Sequence, residues 1–414
     1  MSERRQHFGV YLAGLRRAAG KSQRQLAGLL CAVSGTQSVT RNEVSRWERG
    51  SRVPEVWLPW LAQVLAVPLR EMEQAAAYAR GDERARLPGA TASLSALLPT
   101  GDVLAAGSSG RRIGVEQVEG LAARVHALRL ADDVLAGGDL IGPAFRELGK
   151  SLALYRESTF TEDTGRALLV QIGELGQIAG WVASDAGRLD DAERAYRIGL
   201  DAARQAGDKP LAGNLAGSLA YQWANNGREA EGVDLAEAAL RESGPDAPAA
   251  ARALFADRVA WAHTRLGGAD NVQAAMRALG EAHAALDAEA DDQAPPWAYW
   301  VSREELEIMD ARVFTELRRP LRAVPVLTDV LGRYDATHAR ELALYRSWLA
   351  VALADANEPE RAAAEAQRII GLSGDLSSDR TATRTRIVLE RLRPFASVPE
   401  VHSVLTEHGR LFRT

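Results

Sequence analysis

Cysteine is almost missing: Cys31 is the single one in 414 residues. One thiol excludes an internal disulfide and a zinc site built on cysteines. It ends an apolar helical stretch, which reads as a buried structural thiol. Aromatic residues make up only 6% of the chain, and alternating β-branched residues are scarce. Little in the chain therefore favours sheet. No window approaches 18 uninterrupted apolar residues, and Met1–Gly9 has charges but no apolar run. Neither a membrane span nor a secretory leader is expected, and the cytoplasm is the consistent compartment.

The usual signatures of catalysis are missing too. The seven histidines form neither H-x-x-x-H nor H-E-x-x-H. There is no G-x-x-x-x-G-K-[ST] phosphate loop, no strand-flanked G-x-G-x-x-G and no G-x-S-x-G. Acid pairs such as Asp132-Asp133, Asp190-Asp191 and Asp291-Asp292 fall at helix ends and loops, where solvated charge is the ordinary reading. No catalytic residue, metal site or cofactor is expected, and the chain reads as a non-enzyme.

What is present is alanine and leucine at helical spacing. At 46% hydrophobic and 25% charged, the chain has an ordinary globular composition. Its length calls for two or three units, and its pattern favours helix throughout. Net charge is −5, but it is unevenly spread. Residues 1–80 hold twelve Lys/Arg against six Asp/Glu, a surplus of +6, which leaves −11 for the rest. A basic head on an acidic body fits double-stranded DNA for the head and another partner for the body.

The most informative stretch is Ser22 to Gly50, SQRQLAGLLCAVSGTQSVTRNEVSRWERG. It holds two short helical patterns. Ser22 with Gln25, and Thr40 with Glu43, read as capping boxes that start them. Leu26, Ala27 and Leu30 share one side of the first helix. Val44 and Trp47 point inward on the second, leaving Arg41, Asn42, Ser45 and Arg46 outward. Arginine and asparagine reach guanine and adenine edges through paired hydrogen bonds. A short helix with that outward face suits the major groove.

SQRQLA at 22–27 and VSRWERG at 44–50 together resemble the helix-turn-helix of Xre/Cro-type repressors. The resemblance implies that Gln23 fixes a phosphate at the start of the second helix. It puts Thr40, Arg41, Asn42, Glu43, Ser45 and Arg46 on the recognition helix. It also pairs Glu48 with an arginine of the first helix, here Arg16. The chain departs from the family between Leu30 and Thr40, where nine residues, CAVSGTQSV, replace a turn of about three. A loop is expected there.

Residues 4–19 read as the first helix, with Phe8, Leu12 and Leu15 on one face and Gly20 as its C-cap. EVWLPWLAQVLAV makes a fourth, with Trp57, Leu61 and Leu65 inward. Pro68 opens a fifth, LREMEQAAAYAR. Arg49 and Arg52 flank the loop after the recognition helix and read as phosphate contacts. This gives a five-helix DNA-binding domain over residues 1–80. Residues 81–113 are crowded with Gly, Ser, Pro, Thr and Ala and read as a linker, whose apolar pieces LSALL and VLAA are suited to docking on a neighbour.

From 114 to 414 the pattern is helix, turn, helix. Gly187, Gly227, Gly267, Arg318 and Asn357 are turn residues, each followed five positions later by a small or apolar residue: Ala192, Gly232, Val272, Ala323 and Ala362. Single helix pairs cannot bury their faces, so stacked pairs make an α-solenoid. Residues 115–160 read as a further pair split at Ala136-Gly137-Gly138, and 377–412 as a capping pair. GWVASDAGRLDDAERAY, with Gly180, Gly187, Ala192 and Tyr196, resembles a tetratricopeptide repeat. The fold class expected is therefore all-α: an Xre-type helix-turn-helix head and a tetratricopeptide-like body. That arrangement is similar to regulators of Gram-positive bacteria, including actinomycetes, some of which respond to small peptides.

Six positions before Gly187, Gly227 and Gly267 stand Trp181, Tyr221 and Trp261. In tetratricopeptide-like arrays that position looks into the concave face. With Gln177, Asn214, Asn225 and Arg265 they form a candidate ligand groove, in which rings give apolar contact and amides bond an extended chain. Two alternatives stay open: the rings merely pack between helices, or the C-terminal helices fill the groove. The expected function is sequence-specific transcriptional regulation by a homodimer whose body senses a peptide or small-molecule effector. The alternative is a body that binds a partner protein and no small ligand.

Overall fold

The computed structural model describes residues 3–65, 67–82, 93–101, 104–107, 110–132, 137–244, 247–288, 294–333, 339–373 and 379–408. Asp133, Ala136, the Asp291-Asp292 loop and residues 83–92 lie outside them. The described residues are all-α apart from one two-residue strand pair, and the chain divides into two compact units, Met1–Ala92 and Ser93–Thr414.

The first unit holds α1 (Glu3–Ala18), α2 (Gln23–Ser34), α3 (Arg41–Glu48), α4 (Leu58–Leu65) and α5 (Leu69–Arg80). Phe8, Leu12, Leu26, Leu30, Val44, Trp47, Leu61 and Met72 close its core. Trp57 is only half-buried, in a short 3₁₀ turn before α4, and its ring lies 6.4 Å from that of Trp47. The loop expected after Leu30 is shorter than its sequence suggested. α2 runs on through Cys31 to Ser34 and ends on Gly35, whose φ of 69° is the left-handed conformation that glycine adopts without strain. The Cys31 thiol is half-buried and donates to the Val39 carbonyl at 3.3 Å.

Two glycines bring α1 onto the end of α3. A Cβ on Gly9 would stand 2.3 Å from the Glu48 carbonyl oxygen, and one on Gly50 would stand 2.5 Å from that of Arg5. Neither pair of backbones could approach so closely with a side chain between them.

In the second unit the described part of the expected linker is fastened to the body: the docking expected of LSALL occurs, and the linker reading is corrected for the described residues of 93–113. The short helix α6 (Leu94–Leu97) buries Leu94, and Leu98 follows into the same core. The Leu94 N–H donates to Glu242 at 2.8 Å, and Arg204 donates to the Leu98 carbonyl at 2.9 Å. Gly101 donates to Asp201, and Leu104 exchanges two bonds with the Gln205 amide. Strand β1 (Arg111–Arg112) then pairs in parallel with β2 (Ser158–Thr159).

Between the strands come α7 (Val115–Asp132) and α8 (Gly137–Glu157). Five hairpins follow: α9 (Glu162–Asp185) with α10 (Leu189–Ala206), α11 (Lys209–Asn225) with α12 (Glu229–Ser243), α13 (Ala249–Leu266) with α14 (Ala269–Ala288), α15 (Arg303–Glu316) with α16 (Pro320–Arg333), and α17 (Ala339–Asp355) with α18 (Pro359–Ser373). α19 (Asp379–Leu392) and α20 (Pro399–His408) end the described chain. Gly137 and Gly138 thus lie within α8, not between helices. Every turn residue named from the sequence has positive φ: 73° at Gly187, 81° at Gly227, 71° at Gly267, 55° at Arg318 and 62° at Asn357. Arg318 and Asn357 are the only non-glycine residues to do so among the described residues, and Arg318 is anchored there by Asp355 at 2.9 Å. Ala192, Gly232, Ala323 and Ala362 are buried on the facing helix, while Val272 is half-buried. At the α9–α10 crossing, a Cβ on Gly176 would meet the Gly199 Cα at 2.6 Å, so the two helices touch backbone to backbone. The first helices of successive hairpins pack side by side, from α9 through α11, α13, α15 and α17 to α19. This is an α-solenoid.

Replacing Gly9 by Ala should destabilise the first unit by about 1–3 kcal/mol, because backbone, not a flexible side chain, blocks the new methyl. Denaturant unfolding followed by tryptophan fluorescence measures it; an unchanged midpoint would mean that α1 and α3 are not so closely apposed.

Candidate nucleic-acid interface and body groove

Helix α3, the expected recognition helix, is fixed at both ends. Thr40 caps it, its hydroxyl accepting from the Glu43 N–H at 3.3 Å. Only half of the expected capping box forms, because the Glu43 carboxylate pairs with Arg46 at 2.9 Å instead of reaching back. At Ser22 both halves are present. The far end of α3 is held by Glu48, whose side chain is 7% exposed. Glu48 accepts from Arg16 Nε at 2.6 Å and Nη2 at 3.0 Å, and from Gln23 Nε2 at 2.8 Å. The hydrogen bond to Glu48 pushes the Arg16 guanidinium above its ordinary pKa. Arg16 also donates to the Lys21 carbonyl at 2.7 Å. One carboxylate therefore joins the end of α1, the start of α2 and the end of α3.

Thr40, Arg41, Asn42, Arg46, Arg49 and Arg52 are exposed, while Glu43 and Ser45 are half-buried. Val44 and Trp47 face the core. Arg49 donates back to the Ser45 carbonyl at 3.2 Å. Gln23 is half-buried and committed to Glu48, so it has a positioning role that its sequence did not disclose. Gly9 and Gly50 were the other contributors missed; a Gly so near the end of a recognition helix was the available signal.

A helix-turn-helix domain model matches residues 7–75, a span that runs from within α1 into α5 and holds every candidate DNA-contact residue. The first unit is a helix-turn-helix domain. Comparison with curated proteins gave no match. No helix of the described residues is long and apolar enough to cross a membrane.

In the body, one residue from each of six adjacent helices enters a single column. The Trp181 ring lies 6.0 Å from Tyr221, Tyr221 lies 5.9 Å from Trp261, and Trp261 meets Trp348 edge-on at 5.8 Å. Arg312 sits 4.6 Å above Trp261 and donates to the Tyr221 hydroxyl at 2.7 Å. Arg384, on α19, covers Trp348 at 3.4 Å. Arg258 lies over Tyr221 at 4.7 Å and Trp181 at 5.9 Å. Guanidinium over an aromatic face is favourable, more so away from water.

Two cavities flank this column and share Trp181, Leu344 and Trp348. One, of about 550 Å³, is lined by Tyr221, Asn225, Trp261, Arg265 and Arg384 among others. The second, of about 400 Å³, is lined by Gln177, Asn214, Ser218, Arg258, Arg312 and a group of Trp and Tyr rings. All seven groove residues named from the sequence border one cavity or the other. Their polar groups are not equally available. Asn225 donates to the Tyr221 carbonyl at 2.8 Å and accepts from Trp261 Nε1 at 3.2 Å, so its amide is engaged within the fold. Gln177 accepts from Arg129, and Arg265 pairs with Glu316, both at 3.2 Å. Asn214 is hydrogen-bonded to no other described residue. The alternatives left open by sequence also resolve: the rings both pack against one another and wall the cavities, and α19 lines one cavity through Thr383, Arg384, Ile387 and Arg391. Six positions before Arg318 stands Arg312, so the count used for the aromatics would have found it; Trp348, Arg258 and Arg384 carry no such periodic signal.

Glu48→Gln should destabilise the first unit by about 2–3 kcal/mol, since it leaves the Arg16 charge half-satisfied in a nearly buried place. It should also weaken DNA binding by loosening α3, although Glu48 does not face outward. Unfolding and DNA-binding titrations on the same variant test this; weaker binding with unchanged stability would contradict the positioning role.

Proposed function

We propose that the chain is a sequence-specific DNA-binding transcriptional regulator of the Xre type. It works in the cytoplasm as a homodimer, without catalysis, and its tetratricopeptide-like body senses a peptide or small molecule in the groove. The observation that carries the reading is α3: a capped helix, braced from behind by Glu48, that presents Arg41 and Asn42 to solvent with no other described residue bonded to either. Arginine and asparagine so held can read base edges, while Arg49 and Arg52 beside them meet phosphates. A single head reaches one half-site, so two heads on a near-palindrome, about one helical turn or a multiple apart, supply the affinity that one lacks. The aromatic column and its two cavities support ligand sensing over a purely protein-binding body, since clefts of this size suit small ligands. A ligand regulates only if it binds one dimer state better than the other.

Arg41→Ala or Asn42→Ala should cost about 1–3 kcal/mol on the specific site and relax preference at one base pair. Arg49→Ala or Arg52→Ala should weaken all sequences alike and reduce the salt dependence by about one phosphate contact. Titrations on operator and scrambled duplexes at several salt concentrations separate the two. Equal proportional losses from Arg41 and Arg49 variants would remove the recognition-helix assignment. Sedimentation should give a dimer on DNA, and a monomer both free and bound would overturn the assembly.

A further inference from the structure

The second cavity carries a more specific chemistry than a general groove. Asn214 is 5% exposed, Ser218 is 2% and Arg258 is 6%. None of the three is hydrogen-bonded to another described residue, yet all line this one cavity. Asn214 and Ser218 are four apart on α11 and so share a face of that helix. Arg258 comes from the adjacent α13. Buried polar groups in proteins are hydrogen-bonded as a rule, because an unmet one costs about 1–3 kcal/mol. The polar atoms of these three open onto the cavity, and Arg312 Nε, which lines the same cavity, is a buried donor with no partner among the described residues; together they mark where a ligand's polar group belongs.

The charges there indicate its sign. Arg258 and Arg312 both lie over Tyr221, and the acid nearest Arg258 is Asp257, 3.6 Å away. Burial pushes the Asp257 carboxyl upward, against the pull of Arg258 and Arg312. Asp310 lies further along α15 and is paired with His283 at 2.8 Å. Two guanidinia thus face one nearby carboxyl. The third cation lining the cavity, Arg129, is matched by Glu174 at 2.9 Å. The cavity's other acids, Asp132, Glu304 and Glu305, come from the end of α7 and the first turn of α15. Tyr345 donates to Glu305 at 2.8 Å. These acids disfavour a second negative charge. Trp181, Trp297, Trp300 and Trp348 supply flat apolar wall.

We infer that the cavity between α11, α13 and α15 binds an apolar carboxylate. Its two oxygens are held by the Arg258 and Arg312 guanidinia with the Asn214 amide and the Ser218 hydroxyl, and its apolar body lies against the tryptophans. A planar carboxylate matches the guanidinium fork, and one charge rather than two suits a cavity with acids on its other side. The carboxylate belongs either to the C-terminus of a short peptide or to a free organic acid. The inference rests on the ligand-sensing reading above and deepens it.

The full-length protein is titrated with 8-anilinonaphthalene-1-sulfonate, an aromatic monoanion, and with N-phenyl-1-naphthylamine, the same rings without the anion. The anion should bind one site per chain, at least tenfold tighter than the neutral compound. Asn214→Asp keeps side-chain volume but adds a charge, and should abolish anion binding while leaving the neutral compound unaffected. Arg312→Met should weaken the anion at least tenfold, and Arg312→Lys should restore part of it. Thermal melting checks that each variant is folded. Displacement by an apolar pentapeptide, by its C-terminal amide and by 2-naphthylacetate identifies the source. Displacement by the peptide acid assigns a peptide terminus, and displacement by naphthylacetate alone assigns a free acid. Equal displacement by the peptide and its amide, or none by either carboxylate, overturns the inference. Tight binding of both naphthalene compounds, unchanged in Asn214→Asp, overturns it but keeps a sensing groove. Failure of both to bind removes the groove reading as well and leaves the DNA-binding assignment untouched.

Discussion

The body depends on a chain reversal through positive φ that recurs at five places. At Gly187, Gly227, Gly267, Arg318 and Asn357 the chain leaves the first helix of a hairpin through positive φ. That reversal fixes how far round its axis each first helix ends. Positions counted back from the turn therefore emerge on the same side of every hairpin. Trp181, Tyr221, Trp261 and Arg312 all stand six before their turns, and they meet in one column. Glycine takes this conformation freely, asparagine with small cost and arginine at a cost of about 1 kcal/mol. At Arg318 the ion pair with Asp355 offsets that cost.

The head solves a different problem with the opposite means. It has few residues and must keep a short helix at a fixed tilt while leaving one face bare. Gly9 and Gly50 remove side chains so that α1 can lie directly on the end of α3. Glu48 then gathers Arg16 and Gln23 on a nearly buried carboxylate. Both devices act from behind the helix, so neither uses a residue that nucleic acid would need.

Local signals in the sequence disclosed most of this; non-local bonds stayed hidden. Hydroxyl caps at Ser22 and Thr40 and the turn residues of the body are read from a few neighbours, and they stand where their chemistry placed them. The extension of α2 to Ser34 was signalled by Gly35, a C-cap that the length of CAVSGTQSV obscured. Residues 93–113 look like a linker because their composition is one. They are held by Asp201, Gln205 and Glu242, more than ninety positions away. For the same reason the amides of Gln23 and Asn225 looked available from sequence, whereas Glu48 and Trp261 engage them. The count back from the turns found the rings of Trp181, Tyr221 and Trp261 but not Trp348 or the guanidinia of Arg258 and Arg384, which stand off that period.

A stack of hairpins in which each touches only its neighbours behaves as a one-dimensional array, and such arrays can melt unit by unit. Arg312 departs from that scheme. From the fourth hairpin it bonds Tyr221 in the second and lies over Trp261 in the third and Trp348 in the fifth. A single side chain thus couples four units, one of them, the second, not adjacent to its own. Opening any one of those hairpins breaks contacts in the others, so the middle of the body is set to unfold as one cooperative block, with fraying left to its two ends.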